Sequence, residues 1–292
     1  MIIEGKETAQ QLKDSFKETI QMLKDKGVIP CLAVIFVGRD HASEIYVRNK
    51  EQACQELGIR SQIYHLSENI SQTEILSLIE ELNRQTAVNG ILVQLPLPKH
   101  LNVDDIMFSI NPDKDVDGFH PVNMGKLMMG NSLLSPCTPA GIMHLLDKAG
   151  VDLKGKHCVV VGRSNIVGKP AAMMLLQRDA TVSICHSKTR SLQEYTKSAD
   201  VIVSAVGKSK FITASMVKPG AVVIDVGMNR DENGKLCGDV DFNEVCEVCS
   251  AITPVPGGVG PMTIAMLMGN TIKAAVMQNF GENGLDSIEG IW

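Results

Sequence analysis

The chain has 292 residues, which is enough for one large domain or two ordinary ones with sizeable cores. Hydrophobic residues make up 44% and charged residues 21%, a composition typical of globular rather than disordered proteins. A net charge of -5 argues against nucleic acid as a partner, and the apolar runs are too short to span a membrane. Because the N-terminal residues are partly acidic and lack the hydrophobic region of a signal peptide, we expect a cytoplasmic protein.

The first part of the chain alternates between helix and strand patterns. Residues 8–26 have helical periodicity and precede Gly27, and a second predicted helix over residues 46–57 precedes Gly58. The stretches "CLAVIFVG", "SQIYHL" and "VNGILVQLPLP" predict strands. "SQTEILSLIEELNRQ" predicts a helix that a capping box of Ser71 and Glu74 opens. This alternation is typical of a parallel sheet.

A domain boundary is predicted near Thr138. The preceding stretch "NPDKDVDGFHPVNMGKL" is polar and predicts a loop, and a helix begins after Thr138 with Pro139 at its first position. The strand patterns "HCVVVG", "TVSICHS", "VIVSAVG", "AVVIDVG" and "AITPVP" follow, then a glycine-rich loop and a helix from about residue 262. We therefore predict an α/β protein with two domains, residues 1–138 with 268–292 and residues 139–267.

The eight cysteines are scattered through the chain and do not form the dense framework of a small secreted domain. Cys246 and Cys249 form a lone C-x-x-C without a second ligand pair at metal-like spacing. We expect free cytosolic thiols and no metal site.

The stretch "VVVGRSNIVGKPAAMMLL" runs from an apolar strand through a glycine turn into a helix. Glycines allow the backbone to approach a ligand closely, and a helix N-terminus offers free N–H groups to phosphate. Gly162, Arg163, Ser164 and Gly168 are therefore candidate dinucleotide ligands. The spacing differs from G-x-G-x-x-G, so a plain strand-to-helix turn stays open as an alternative at this point.

The end of the next predicted strand, "CHSKTR", indicates which dinucleotide would bind. An NAD site usually has a carboxylate there, whereas this chain has Ser187, Lys188 and Arg190. Cations and hydroxyls suit a ribose 2′-phosphate, so the sequence favours NADP over NAD.

Tyr46 and Lys50, in "SEIYVRNK", have the i,i+4 spacing that places two side chains on one helix face. Such a pair can be an ordinary surface contact or a proton-handling group. The spacing alone favours the surface contact.

The chain resembles the bifunctional methylenetetrahydrofolate dehydrogenase/cyclohydrolase family. The matching stretches cover nearly the whole chain in the family's order: "YVRNK", "GILVQLPLP", "KDVDGFH", "PCTPAG", "VVGRSNIVGKP", "CHSKT", "IDVGMN", "GDV" and "ITPVPGGVGPMT". The resemblance implies an α/β folate-side domain, a Rossmann-like NADP-binding domain, a cleft between them and a homodimer. It also implies oxidation of 5,10-methylenetetrahydrofolate to the methenyl cation and hydrolysis of that cation to 10-formyltetrahydrofolate.

By this resemblance Lys50 is the central catalytic residue, assisted by Tyr46 and Gln94. Attack of water on a methenyl cation needs a group that takes a proton or orients the water. A lysine serves best when its pKa is lowered or its proton is shared, and Gln94 can hydrogen-bond the amine.

The resemblance assigns substrate binding to Tyr46, Asp117 and the segment Pro256, Gly257, Gly258. A carboxylate such as Asp117 can accept two parallel hydrogen bonds from a pterin, although a turn aspartate that bonds its own backbone is the alternative. Asp115 is the candidate for a structural role.

The resemblance also adds Thr138 and Val226 to the cofactor ligands and suggests a cis proline in "QLPLP".

Three other functions compete with this interpretation. Short-chain dehydrogenases also use Y-x-x-x-K, but there the tyrosine follows the glycine turn, whereas Tyr46 precedes Gly162. A dehydrogenase without hydrolase activity is disfavoured by the presence of Tyr46, Lys50 and Gln94. A non-catalytic folate- or nucleotide-binding protein would be expected to lack the lysine.

Overall fold

The computed structural model describes residues 1–288 of the chain. Residues 289–292, which the predicted first domain includes, lie outside the described residues. The chain folds into two compact units. We call one the lysine unit, formed by Gln11–Cys137 and the residues from Ile264 onward, and the other the glycine-turn unit, formed by Met1–Gln10 and Thr138–Thr263.

This division differs from the predicted one mainly at residues 1–10, which we expected in the same domain as Lys50. It also places Thr138 in the glycine-turn unit and residues 264–267 in the lysine unit. The N–H of Ile3 donates to the carbonyl of Ile252 at 2.8 Å, and Ile2 forms a parallel bridge with the same residue. The N–H of Lys6 donates to the carbonyl of Gly257 at 2.9 Å. The first residues of the chain thus satisfy backbone groups that an edge strand would otherwise leave unpaired.

The first half of the chain alternates between helices and strands as predicted. Its elements are α1 (Gly5–Asp25), β1 (Cys31–Val37), α2 (His41–Leu57), β2 (Arg60–Leu66), α3 (Gln72–Arg84), β3 (Gly90–Val93), α4 (Val103–Phe108) and α5 (Pro121–Met128). The three strands form a parallel sheet in the order β2-β1-β3. Every residue of β1 and β3 is buried, as expected for parallel strands covered on both faces.

Two helices differ from the sequence predictions. Helix α2 begins before residue 46, because the Asp40 side chain caps it by accepting the N–H of Ser43 at 2.8 Å. The stretch predicted as a loop ends at Leu127 and contains all of α5 (Pro121–Met128) except its last residue, so that prediction is wrong from Pro121 to Leu127. Pro121 is the first residue of this helix, where its missing N–H costs no hydrogen bond. The capping box of Ser71 and Glu74 on α3 is confirmed.

The second half supplies the larger sheet. Its elements are α6 (Cys137–Lys148), β4 (His157–Val161), α7 (Gly168–Gln177), β5 (Thr181–Cys185), α8 (Leu192–Ser198), β6 (Val201–Ser204), β7 (Val222–Asp225), β8 (Asn229–Arg230), β9 (Leu236–Cys237), α9 (Phe242–Val245), β10 (Ala251–Ile252) and α10 (Val259–Phe280). Five parallel strands lie in the order β10-β7-β6-β4-β5, and β8 pairs with β9 in an antiparallel ribbon. This is the predicted Rossmann-like sheet.

Strand β4 has β5 on one side and β6 on the other. The chain passes from β4 to its neighbour β5 and then crosses to β6, on the other side of β4. The direction in which strands are added therefore reverses between β4 and β6. In open parallel sheets, ligands bind beyond the carboxyl ends of the strands at such a reversal.

Among the helices within residues 1–288, none is long and apolar enough to cross a membrane.

Candidate active site

The carboxyl edge of the β2-β1-β3 sheet brings Lys50 and Gln94 together. Lys50 lies in α2, the helix that follows β1, and Gln94 directly follows β3. The Lys50 Nζ donates a hydrogen bond to Gln94 Oε1 at 2.9 Å, and Gln94 Nε2 donates to the Leu95 carbonyl at 2.7 Å. The Leu95 carbonyl therefore orients the Gln94 amide so that its oxygen faces the amine.

Burial is the main influence on the protonation of Lys50. The residue is only 8% exposed, and this desolvation lowers the pKa of its amine because the charged form loses hydration. The charge of Asp117 opposes that shift. The result is an amine that releases its proton more readily than a lysine in water.

Asp117 is electrostatically coupled to Lys50 and is only partly exposed. Desolvation raises the pKa of Asp117 to about 6, the nearby Lys50 opposes this shift, and Asp115 adds to it. At neutral pH most of the Asp117 population is therefore ionised. Lys50 and Asp117 therefore each influence the pKa of the other, which is typical of groups in functional sites.

Asp115 has the structural role that we considered for it. It is 1% exposed, and its Oδ2 accepts the backbone N–H of His120 at 2.7 Å and the Nδ2 of Asn123 at 2.9 Å. A parallel bridge to Ile91 ties its backbone to β3. Asp115 thus holds the turn on which Asp117 lies.

We expect Asp115→Ala to lower the free energy of unfolding by about 2 kcal/mol, because it removes the acceptor of the partly buried His120 N–H and one of the two acceptors of the buried Asn123 amide. Urea denaturation measures this change. The matched control is Asp113→Ala, an exposed aspartate of the same segment, for which we expect a change of no more than about 0.5 kcal/mol. Equal losses in the two variants would contradict the structural role of Asp115.

Two polar residues of α10 belong to this neighbourhood, and the sequence analysis missed them. Asn270 Nδ2 donates to the carbonyls of Val116 and Ser135, both at 2.8 Å. Burial lowers the pKa of Lys273 to about 8. Their signal in the sequence is the presence of one asparagine and one lysine in an otherwise apolar helical stretch, "MTIAMLMGNTIKAAVM".

Cys137 lies in the same buried neighbourhood as Asp117. Its thiol donates to the Val116 carbonyl at 3.2 Å, and burial raises its pKa well above that of an ordinary thiol. Cys137 and Asn270 therefore both fix the peptide that precedes Asp117.

Tyr46 lies one helical turn before Lys50 in α2, so the two residues share a helix face as predicted. It is partly buried, and desolvation raises the pKa of its phenol. The phenol therefore stays protonated and can donate a hydrogen bond at neutral pH.

The predicted glycine turn connects β4 to α7 in the glycine-turn unit. Gly162 has a φ of 129°, and a Cβ on Gly168 would overlap the backbone of Gly162. The Ser164 Oγ accepts the N–H groups of Val167 and Gly168, both at 3.2 Å. Arg163 is exposed beside this turn. A tight glycine turn at a helix N-terminus with an exposed arginine fits the pyrophosphate of a dinucleotide.

The predicted 2′-phosphate ligands follow β5 at the same edge of the sheet. Ser187, Lys188 and Arg190 are all exposed. The turn that presents them is closed by a hydrogen bond of 2.9 Å from the His186 N–H to Thr189 Oγ1. Two cations and a hydroxyl on one ordered turn fit a phosphate group.

The other predicted ligands lie elsewhere in the glycine-turn unit. Val226 directly follows β7, and its N–H donates to the Ser204 carbonyl at 2.9 Å. The hydroxyl oxygens of Thr138 and Thr263 are 3.0 Å apart.

The segment predicted to bind substrate precedes α10. Pro256 is exposed and follows a cis peptide bond, Gly257 has a φ of 106°, and Gly258 is buried. The cis proline predicted in "QLPLP" is confirmed at Leu95–Pro96.

Two models of one protein family together match most of the chain. Residues 3–117 match the model of the catalytic domain of tetrahydrofolate dehydrogenase/cyclohydrolase, and residues 136–279 match the model of its NAD(P)-binding domain. The chain is 57% identical to the bifunctional protein FolD of Acetivibrio thermocellus, over 95% of this chain and 97% of that protein.

Solved structures show the same similarity. The bifunctional methylenetetrahydrofolate dehydrogenase/cyclohydrolase of Campylobacter jejuni superposes with a TM-score of 0.92 at 54% identity, covering 94% of this chain and 98% of that one. The Trypanosoma brucei enzyme, solved with NADP and an inhibitor, has a TM-score of 0.91 at 36% identity, covering 94% and 97%. The chain belongs to the tetrahydrofolate dehydrogenase/cyclohydrolase family.

Proposed function

We propose that Lys50, held by Gln94, is the catalytic centre of a bifunctional enzyme of one-carbon metabolism. The enzyme oxidises 5,10-methylenetetrahydrofolate to 5,10-methenyltetrahydrofolate with NADP+ and hydrolyses the product to 10-formyltetrahydrofolate. The observation that supports this assignment most directly is the hydrogen bond of 2.9 Å between Lys50 Nζ and Gln94 Oε1 in a buried environment.

The hydrolytic step requires removal of a proton. Water adds to the methenyl carbon, a carbon–nitrogen bond of the ring opens, and one proton is released. Because burial lowers the pKa of Lys50, its neutral amine can accept the proton of the attacking water. Gln94 accepts a hydrogen bond from the amine and so directs the remaining nitrogen lone pair.

The oxidation step needs correct placement of the methylene carbon. NADP+, when bound, accepts a hydride from that carbon. In this step the protein binds and orients the folate. We propose that Asp117 does so by accepting hydrogen bonds from two pterin N–H groups. Tyr46, Pro256, Gly257 and Gly258 are proposed substrate ligands from the family resemblance.

For NADP, we propose that Gly162, Arg163, Ser164 and Gly168 hold the pyrophosphate. The Ser164 side chain already caps the turn, so its contribution is to fix the backbone. Ser187, with the neighbouring Lys188 and Arg190, would bind the 2′-phosphate. Thr138 and Val226 remain proposed ligands from the resemblance.

The expectations of a homodimer and a cytoplasmic location remain proposals that follow from the family resemblance. Tetrahydrofolate one-carbon derivatives are the substrates that the family membership supports. Analytical ultracentrifugation of the purified chain tests the homodimer.

The function is tested by two rates on the purified protein, folate-dependent formation of NADPH and disappearance of the methenyl cation. We expect both activities. NADPH formation without accelerated hydrolysis would support the competing dehydrogenase without hydrolase activity, and the absence of both would overturn the proposal.

We expect Arg190→Ala to raise the KM for NADP+ by about tenfold and to leave the KM for NAD+ unchanged. The reason is the loss of one charge-assisted hydrogen bond to the 2′-phosphate, which contributes roughly 1.5 kcal/mol. Steady-state kinetics with the two cofactors measures the difference.

The matched control is Arg178→Ala. Arg178 pairs with Asp147 through hydrogen bonds of 2.9 and 2.6 Å and lies outside the turn after β5 that carries Arg190. Its removal should leave both KM values unchanged. A parallel rise for NADP+ and NAD+ in Arg190→Ala would argue against 2′-phosphate recognition.

A further inference from the structure

Asp239, in the "GDV" stretch, has no role in the mechanism above, yet its carboxylate is fully buried. Its Oδ2 accepts the backbone N–H groups of Val206 at 2.6 Å and Gly207 at 3.2 Å. Its Oδ1 accepts the N–H of Lys208 at 2.9 Å. One carboxylate thus binds three consecutive backbone amides of another segment.

A second motif completes this arrangement. Asn229, in "IDVGMN", donates from Nδ2 to Asp239 Oδ1 at 2.9 Å. Asp225, at the end of β7, accepts the N–H of Asp239 at 2.9 Å and that of Val240 at 3.0 Å. The backbone around Asp239 is therefore fixed by Asp225, and the Asp239 side chain in turn fixes residues 206–208.

Residues 206–208 lie at the point of the sheet where a dinucleotide is expected. They follow β6 at its carboxyl end, next to the strand order reversal between β4 and β6. Their neighbour Ala205 is so close to the glycine turn that a Cβ on Gly162 would overlap the Ala205 carbonyl. The conformation of residues 206–208 therefore shapes one wall of the proposed cofactor site.

We propose that Asp239 is a positioning residue for NADP, whose carboxylate holds residues 206–208 in the conformation that receives the cofactor. This inference rests on the NADP site proposed above. Asp239 acts through the backbone of residues 206–208 and not by contact with the cofactor.

The role of Asp239 requires two acceptor oxygens and not only a side chain of the right size. Both of its carboxylate oxygens accept hydrogen bonds from N–H donors. An asparagine has the same shape but one of its two polar atoms is an NH₂ group. In either orientation of the amide, that NH₂ group would face at least one N–H donor, so Asp239→Asn should release part of residues 206–208.

The test measures the Kd for NADP+ by calorimetry, the rate of methenyl hydrolysis and amide hydrogen exchange. For Asp239→Asn we expect a Kd about tenfold higher, equivalent to about 1.4 kcal/mol. Hydrolysis, which consumes no NADP+, should stay within about twofold, and the amides of residues 206–208 should lose protection. An unchanged Kd in a folded variant, or unchanged protection of these amides, overturns the proposal.

The matched control is Asp231→Asn. Asp231 also accepts two backbone N–H groups through one oxygen, those of Asn233 at 2.9 Å and Lys235 at 2.8 Å, but in the turn between β8 and β9. It should leave the Kd for NADP+ unchanged. A tenfold rise in this control as well would overturn the specific role of Asp239.

A milder variant covers the case in which Asp239→Asn does not fold. Asn229→Ala removes one hydrogen-bond donor to Asp239 and keeps the carboxylate. We expect the Kd for NADP+ to rise two- to threefold, a change in binding free energy of roughly half of one hydrogen bond's usual contribution. The amides of residues 206–208 should lose part of their protection. No change in either quantity would overturn the proposal. If the wild-type protein binds no NADP+ at all, the proposed function fails instead, which the same titration shows directly.

Discussion

Replacing Lys50 with methionine should lower the rate of methenyl hydrolysis by roughly 10²- to 10⁴-fold, the usual contribution of a general acid–base group. Methionine fills a similar volume but has no amine to take the proton of the attacking water. Because the side chain is already buried, an apolar replacement adds no desolvation cost. NADP+ binding should persist, since the proposed cofactor ligands belong to the glycine-turn unit. Stopped-flow hydrolysis and calorimetric titration with NADP+ measure the two quantities.

The control is Arg48→Met, which removes an exposed cation from the same helix. It should leave hydrolysis within about twofold, because surface substitutions rarely exceed about 0.5 kcal/mol. If Lys50→Met retained both activities at the wild-type level, Tyr46 and Lys50 would be an ordinary helix pair and the catalytic assignment would be wrong.

The buried strands could be predicted from the sequence because burial on both faces requires a continuous apolar run. The stretch "CLAVIFV" became β1, and "HCVVV" became β4, the strand at which the larger sheet reverses. Such a run predicts a strand from local sequence alone, without information about the residues that pair with it. Their alternation with helices also predicted the two parallel sheets.

Two features of the fold were not predictable, one because a residue type suits two structures and one because it depends on a long-range contact. Pro121 lies in a stretch rich in turn formers, although proline is equally suited to the first position of a helix. The N-terminal residues joined the glycine-turn unit through Ile3 and Ile252, a pair separated by almost the whole chain. Periodicity cannot reveal a bond between such distant residues.

The same limit applies to the site. The family resemblance named Lys50 and Gln94, but the bond between them depends on β1 and β3 ending at the same sheet edge. Asn270 and Asp239 were missed because their partners are mainly backbone groups of distant segments. A buried polar residue in an apolar context shows only that some partner exists, not which one.

The second large effect concerns Asp117. For Asp117→Asn we expect kcat/KM for folate to fall by roughly 10²- to 10³-fold in both activities. The carboxylate offers two acceptor oxygens to the N–H groups of the pterin, whereas the asparagine amide offers one acceptor and places a donor where the second acceptor was. The KM for NADP+ should stay unchanged. Steady-state kinetics of both reactions measures this, with Asp113→Asn as the control for an exposed aspartate in the same segment. A fall confined to one reaction would contradict a shared folate ligand.

The pH dependence of folate binding tests the same residue by its charge. Burial raises the pKa of Asp117 to about 6, and only the ionised carboxylate accepts two hydrogen bonds. Affinity should therefore be complete above that pH and fall by about tenfold for each unit below it, because protonation then competes with binding. Asp117→Asn should remove this inflection, whereas Asp113→Asn should keep it. Lys50→Met should move the inflection to higher pH, because the Lys50 charge opposes the raised pKa of Asp117. An inflection that Lys50→Met leaves in place would show that the Lys50 charge does not influence Asp117. An inflection that persists in Asp117→Asn would belong to another residue.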